Sequence, residues 1–154
     1  MRRRHDHMTL AEQLKERLRA GFAKCGFEAD VLERVSISAS ADLRFGDYQS
    51  NAAMMLAKQA KQNPRSLAEA VMEQTEAADL AEMEIAGPGF LNFRVTPEAF
   101  ATQAAAVFAD ENLGVEPVAA PRRIVLDFSA PNVAKPMHVG HIRSTIIGDS
   151  LARI

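Results

Sequence analysis

Apolar residues recur at every fourth position near the start of the chain: Leu10, Leu14, Leu18 and Phe22. Thr9 followed by Glu12 forms a capping-box pattern ahead of them, and Gly26 supplies a stop, so residues 9–25 are predicted to form an amphipathic helix. Val35-Ser36-Ile37-Ser38-Ala39 alternates and predicts a strand. Phe45-Gly46-Asp47-Tyr48 reads as a turn leading into a second helix from about Gln49 to Lys61. Asn63-Pro64 breaks the chain, because a residue before proline avoids the helical region. Ser66 with Glu69 repeats the capping box and opens a third helix running to about Ala78. Met83–Ala86 and Phe90–Val95 read as paired strands around the turn Gly87-Pro88-Gly89. Thr96-Pro97 is a helix start, a cap followed by a first-turn proline, with Phe100, Ala104, Val107 and Phe108 expected on the inner face.

The pattern changes after Glu116-Pro117-Val118-Ala119-Ala120-Pro121, which has the composition of a short linker. Ile124-Val125-Leu126-Asp127-Phe128 is an almost continuous apolar run, as expected of a strand buried on both faces of a parallel sheet. A loop over residues 129–136 follows, then a helix from about His138 through Ile142, Ile146 and Leu151. A lone strand-loop-helix cannot cover both faces of a sheet, so these residues read as the opening of a larger domain. The expected organisation is a leader over residues 1–8, a first domain of helices and strands over 9–117, and the opening of a second domain over 118–154.

Composition changes this picture little. Of 154 residues, 47% are hydrophobic and 25% charged, which fits a globular chain and argues against extensive disorder. No apolar run reaches the roughly 18–20 residues of a membrane-spanning helix. Met1-Arg2-Arg3-Arg4-His5-Asp6-His7-Met8 has no secretory apolar stretch behind it and reads as a frayed leader, with Met8 a second candidate start. The single Cys25 cannot pair internally, which fits a reducing cytoplasm. A net charge of −2 advertises no nucleic-acid partner, although a local patch can still bind one.

Chemistry concentrates at the predicted strand-loop-helix. His138 and His141 lie three apart at a helix start, where open backbone N–H groups and the helix dipole attract anions. Gly140 between them lets a flat ring approach the backbone, and Lys135 adds a cation. Such donors suit a phosphate that gains charge in a transition state. On spacing alone a metal pair or two solvated histidines remain open, though no third His, Cys or Glu nearby completes a zinc set. On the strand Phe90–Val95, Leu91, Phe93 and Val95 are predicted to face the core. Phe90, Asn92 and Arg94 then share an exposed face that could stack on a base, read its edge and meet a phosphate. Gly46-Asp47 is most simply turn chemistry, Tyr48 a packing residue and Met54-Met55-Leu56 core filler.

The string Asp127-Phe128-Ser129-Ala130-Pro131-Asn132-Val133-Ala134-Lys135-Pro136-Met137-His138-Val139-Gly140-His141-Ile142-Arg143-Ser144-Thr145-Ile146-Ile147-Gly148-Asp149 closely resembles the first nucleotide-binding motif of class I aminoacyl-tRNA synthetases. The Ala-Pro-Asn-x-Ala-Lys lead-in to the His-x-Gly-His core is similar to that of the arginyl-tRNA synthetases, and within the core Val139 stands in place of the isoleucine usual in the class. Residues 8–117 resemble the additional N-terminal domain of that family through Phe45-Gly46-Asp47-Tyr48-Gln49-Ser50-Asn51 and Ile85-Ala86-Gly87-Pro88-Gly89-Phe90-Leu91-Asn92-Phe93.

The resemblance implies an α+β fold, in which an antiparallel sheet with helices precedes the first strand-loop-helix of a Rossmann-type catalytic domain. It implies that His138, His141 and Lys135 contact ATP phosphates, and that Gly140 packs under the adenine. Asp127, Ser129 and Asn132 would line an arginine pocket, and Phe90, Asn92 and Arg94 would meet the tRNA D-loop. The implied parent is a monomeric cytoplasmic ligase that joins L-arginine to tRNA(Arg) using ATP with Mg²⁺, with no dedicated protein metal site and no membrane partner. The family's Lys-Met-Ser-Lys-Ser-like loop and anticodon-binding domain have no counterpart in these residues, so the chain alone is expected to be inactive. A free-standing tRNA-binding module and another adenylating nucleotidyl-transfer enzyme are the alternatives.

Overall fold

The computed structural model describes residues 8–115, 118–130 and 134–154. The Arg2–Arg4 leader and Asn132 lie outside these. The chain divides into two compact units, Met1–Glu116 and Pro117–Ile154.

In the first unit, Thr9 caps α1 (Leu10–Lys24) with a complete capping box: Thr9 Oγ1 accepts from Glu12 N–H, and the Glu12 carboxylate accepts from Thr9 N–H at 2.7 Å. The four-residue apolar spacing holds, and Leu10, Leu14, Leu18 and Phe22 are all buried. A short α2 (Ala29–Leu32) follows, which the sequence pattern did not signal. The strand expected over 35–39 contracts to β1 (Ser38–Ala39), because Val35 turns into the core and only two residues meet a partner. One turn of 3-10 helix (Leu43–Phe45) leads through Gly46 into β2 (Tyr48–Ser50). The expected helix start at Gln49 is therefore wrong. Tyr48 and Gln49 pair with β1 and residues 48–50 with β4 (Phe90–Val95), and α3 (Ala52–Ala60) begins only after Asn51.

Asn63-Pro64 is more than a break. Asn63 Oδ1 accepts from Arg65 and Ser66 N–H, so Asn63 caps α4 (Pro64–Gln74) with proline in its first turn, two residues before the expected start at Ser66. β3 (Ala81–Ala86) and β4 form the predicted hairpin, and Thr96 caps α5 (Pro97–Ala109) by accepting from Ala99 N–H. The sheet order is β1-β2-β4-β3, antiparallel throughout. Helices α3 and α4 cover one face of β3 and β4, and α1 packs on α4, which leaves the other sheet face open. The core joins Leu14, Leu18 and Phe22 of α1 to Leu56, Leu67, Val71, Leu91 and Phe93. Burial of each such side chain stabilises the fold by about 1.5–3 kcal/mol. Leu56 is buried while Met55 is 39% exposed, so the expected core filler holds only in part. On α5 the expected inner face is corrected: Phe100 and Phe108 are 64% and 82% exposed, and Ala99 is the buried residue.

The capping box makes a pH-dependent prediction. Hydrogen bonds from Thr9 N–H and then Thr9 Oγ1 hold the Glu12 carboxyl below its ordinary value. A folded-state value below the unfolded one contributes stability above the unfolded glutamate range, which is lost as pH falls through the folded value. The urea midpoint of Glu12→Ala should therefore lie below that of the parent at neutral pH, and the gap should narrow on acidification. A gap that stays constant down to pH 3 would refute the assignment.

In the second unit, α6 (Val139–Arg153) forms as expected with His138 as its N-cap. The apolar run 124–128 forms no strand. A strand needs a ladder, and among the described residues nothing pairs with it; Ile124 and Val125 are 70% and 89% exposed. Phe128 instead packs over α6 at Gly148, where any Cβ would collide with its ring. No helix among the described residues is long and apolar enough to cross a membrane.

Candidate functional site

The open face of the first unit's sheet carries every second residue of its strands. Ser38, Gln49, Asn92 and Glu84 lie side by side in one register row across β1, β2, β4 and β3. Phe90 and Arg94 flank Asn92 along β4, opposite Ala86 and Glu82. The predicted alternation holds, but Asn92 is not exposed as expected: only 3% of it is accessible. Its short amide sits between the longer side chains of Gln49, Glu84, Phe90 and Arg94, and becomes the floor of a well. Among the described residues its Nδ2 has no hydrogen-bond partner. Leaving a buried donor unpaired costs about 1–3 kcal/mol, so its retention calls for a reason.

Two depressions lie on this face. One, of about 80 Å³, is lined by Phe45, Gly46, Glu82, Glu84, Asn92 and Arg94. The other, of about 150 Å³, is uncharged and lined by Ser36, Ser38, Gln49, Ser50, Asn51 and Phe90. The half-buried Phe90 therefore stands beside the second depression and Asn92 beside the first. Arg94 is exposed, but its Nη2 donates to the Arg44 carbonyl at 3.3 Å and Glu82 faces it across the strands, so it is a less open cation than expected. Arg44 clasps Asp42 through Nε and Nη2, which lowers the Asp42 carboxyl and raises the guanidinium. The sequence pattern gave neither Gln49 nor Glu84 a place on this face. Their signal lay in the register with Asn92, which no local pattern carries.

Asp47 is structural, as turn chemistry suggested. Its N–H donates to the Phe93 carbonyl at 2.8 Å, and its Oδ2 accepts from Val95 N–H at 2.8 Å. Tyr48 packs against the core.

In the second unit, His138 and His141 are brought together with ring centroids 4.0 Å apart. His138 Nδ1 accepts from Gly140 N–H at 3.1 Å, and His141 Nδ1 accepts from His138 N–H at 3.2 Å. With both Nδ1 atoms acting as acceptors, each neutral ring carries its proton on Nε2, leaving two N–H donors for a ligand. A Cβ at Gly140 would lie 2.9 Å from His138 Cε1, so glycine here makes room for the capping ring. The expected open N–H groups of this helix end are partly engaged, since His141 N–H also donates to the His138 carbonyl. Ser129 Oγ lies 3.5 Å from Thr145 Oγ1. Asp127 and Lys135 are exposed, and the expected role of Asn132 falls outside the described residues.

The family model "Arginyl tRNA synthetase N terminal domain" matches residues 8–95, and "tRNA synthetases class I (R), catalytic domain" matches residues 103–154. The arginine–tRNA ligase of a Synechococcus species is 49% identical over 144 residues, covering 92% of this chain and 24% of that protein. That of Psychromonas ingrahamii is 49% identical over 126 residues, covering 81% of this chain and 22% of that protein. Arginyl-tRNA synthetase structures from Plasmodium falciparum and Thermus thermophilus superpose with TM-scores of 0.63 and 0.54. Each is 24% identical and covers 94% of this chain, against 28% and 23% of those chains, so they speak to the fold alone. The chain thus spans about a quarter of the length of the curated relatives it matches.

Proposed function

The chain belongs to the arginyl-tRNA synthetase family, and from that premise we propose that it serves as the N-terminal part of an arginine–tRNA ligase whose open sheet face meets the tRNA D-loop. The whole ligase would activate L-arginine with ATP and transfer it to tRNA(Arg) in the cytoplasm. The observation that carries the D-loop reading is the buried, unpaired Asn92 amide on the same open face as the Phe90 ring. A splayed base offers a π-face to an aromatic ring and a polar edge to an amide. Arg94 contributes at the rim.

In the second unit, the Nε2–H groups of His138 and His141 would donate to ATP phosphate oxygens as charge builds there, with Lys135 adding positive charge. Gly140 would let the adenine approach the helix start. Asp127 suits a guanidinium through paired hydrogen bonds, and Ser129 would line the same arginine pocket; Asn132, expected there too, lies outside the described residues. Mg²⁺ would arrive with the ATP phosphates. The two imidazoles already spend Nδ1 within the helix cap, which leaves a poor donor set for a resident metal.

The test is a titration of the chain against tRNA(Arg), with and without altered D-loop bases. Removing an aromatic that stacks on a base costs about 1–3 kcal/mol, so Phe90→Ala should weaken binding by roughly five- to a hundredfold. Asn92→Leu should weaken binding while leaving the urea midpoint equal or higher, because it deletes an unpaired buried donor. Binding indifferent to the D-loop and to both substitutions would refute the reading.

A further inference from the structure

We propose that the turn joining α3 to α4 is a docking site for the phosphates of an RNA backbone, with Lys58, Lys61 and Arg65 as its cations. The inference rests on the reading of the first unit as RNA-binding, and adds a second surface, off the open sheet face, that reads no base.

The three cations come together where the chain doubles back. Lys58 lies in the last turn of α3, Lys61 is that helix's C-cap, and Arg65 stands in the first turn of α4. Arg65 Nη1 donates to the Gly87 carbonyl at 3.1 Å, and its Nε lies 3.4 Å from the Glu69 carboxylate, which pins the guanidinium beside the β3–β4 hairpin tip. The backbones also meet there: a Cβ on Gly89 would lie 2.8 Å from the Pro64 carbonyl oxygen. Phe90 follows Gly89 directly, so the turn sits at the Phe90 end of the sheet. Lys58 and Lys61 are exposed and have no hydrogen-bond or ion-pair partner among the described residues.

Charge sets this turn apart from the rest of the unit. From Tyr48 to Ala68 the chain has no Asp or Glu, although it carries 20 in all, so nothing within the segment offsets the three cations. Elsewhere cations are spent inside the unit: Arg17 on Asp79, Arg19 on Glu16, Lys24 on Glu76 and Arg44 on Asp42. Lys61 has φ +52° and ψ +38°, the left-handed conformation that glycine or asparagine usually fills at a helix end. A lysine there accepts backbone strain, and strain retained in a fold points to a use for the side chain. The helix dipole favours a cation at this end, but Lys58 already supplies one. Long solvated cations recognise charge and not a base edge, so the ligand they suit is a phosphodiester. Glu82 and Glu84, exposed farther along β3, repel phosphate and direct a passing backbone toward the turn.

The experiment is a titration of the 154-residue chain against tRNA(Arg) over about 50–200 mM salt, read as the slope of log affinity on log salt. Lys58→Gln and Lys61→Gln should each make the slope shallower by about 0.7–0.9, the worth of one phosphate contact. Both should weaken intact and D-loop-altered tRNA by the same factor, whereas Phe90→Ala acts on their ratio. Lys61→Arg should keep the parent slope. Lys61→Gly should lose it while leaving the urea midpoint equal or higher, because glycine relieves the left-handed backbone, so binding and folding are read apart. Arg17→Gln is the control for net charge, since it removes a cation already paired on α1, and should leave the slope unchanged. A slope that survives both glutamine substitutions, or falls as far in Arg17→Gln, overturns the proposal. If Phe90→Ala still weakens binding in that event, only the backbone site fails. If the slope falls as expected but binding ignores Phe90 and the D-loop, the turn stands and the reading of the sheet face fails. No salt-dependent binding of tRNA(Arg) at all overturns both.

Discussion

Phe93→Ala should lower the stability of the first unit by about 3–5 kcal/mol, the range for truncating a fully buried aromatic. Phe93 is wholly buried at the centre of β4, between Tyr48 on β2 and Met83 on β3, and faces the helical layer. Single domains are stable by about 5–15 kcal/mol in all, so the loss would consume much of the fold's margin. The ring has little else to replace it, because Phe22 is the one other aromatic among the largest fully buried side chains. Phe90→Ala is the internal control. It removes the same ring three residues away, on the opposite face and only half buried, and should cost well under half as much. Urea denaturation with an unchanged slope checks both. Equal midpoint shifts for the two variants would mean that the two faces of β4 are wrongly assigned.

Gly46→Ala should be the second large effect, about 2–6 kcal/mol from two sources. Gly46 has φ +99° and ψ −172°, a region essentially closed to residues with a Cβ, where occupancy costs about 1–3 kcal/mol. An added Cβ would also lie 2.6 Å from the Phe93 carbonyl oxygen, and forcing apart such a contact costs about 1–3 kcal/mol more. That oxygen accepts the Asp47 N–H, and the Asp47 carboxylate holds Val95 N–H. Relief of the clash would loosen both bonds and shift the loop that carries Phe45 along the edge of the Asn92 well. Binding of RNA should therefore weaken together with stability. Gly87→Ala separates the two causes: Gly87 has φ +53°, but nothing lies within 4 Å of its would-be Cβ. It should cost only the backbone term. If Gly46→Ala is no worse than Gly87→Ala in denaturant, the close approach to β4 is not a constraint.

Much was legible along the chain because its cause is local. The Leu10–Phe22 stripe, the Thr9 and Thr96 caps and the alternation of Phe90–Val95 depend on residues a few positions apart, and each forms as read. The pairing of His138 with His141 at a helix start is equally local, since a three-residue spacing on a first turn leaves the rings little choice but to meet. The elements that misled are those whose existence depends on a distant partner. β2 is three residues long and exists because β4, more than 40 positions later, pairs with it; without that partner the run into α3 reads as one helix. Ile124–Phe128 failed for the converse reason, having the composition of a buried strand and no ladder among the described residues.

The same division governs the candidate site. The period of two in an extended chain sets which face of β4 each residue takes, so Phe90, Asn92 and Arg94 were placed together from the sequence by itself. What a residue on that face experiences depends on the side chains beside it across the sheet. Register sets Gln49 and Glu84 on either side of Asn92, and their greater length turns an amide expected at the surface into a buried and unpaired one. Phe100 and Phe108 carry the lesson in reverse, apolar in pattern yet exposed, because packing selected the Ala99 side of α5. Sequence thus determined the type and facing of the local elements, whose energetics act over neighbouring turns and alternate residues. Tertiary structure decided burial, pairing and the chemistry of the well, which arise between segments that the chain order keeps apart.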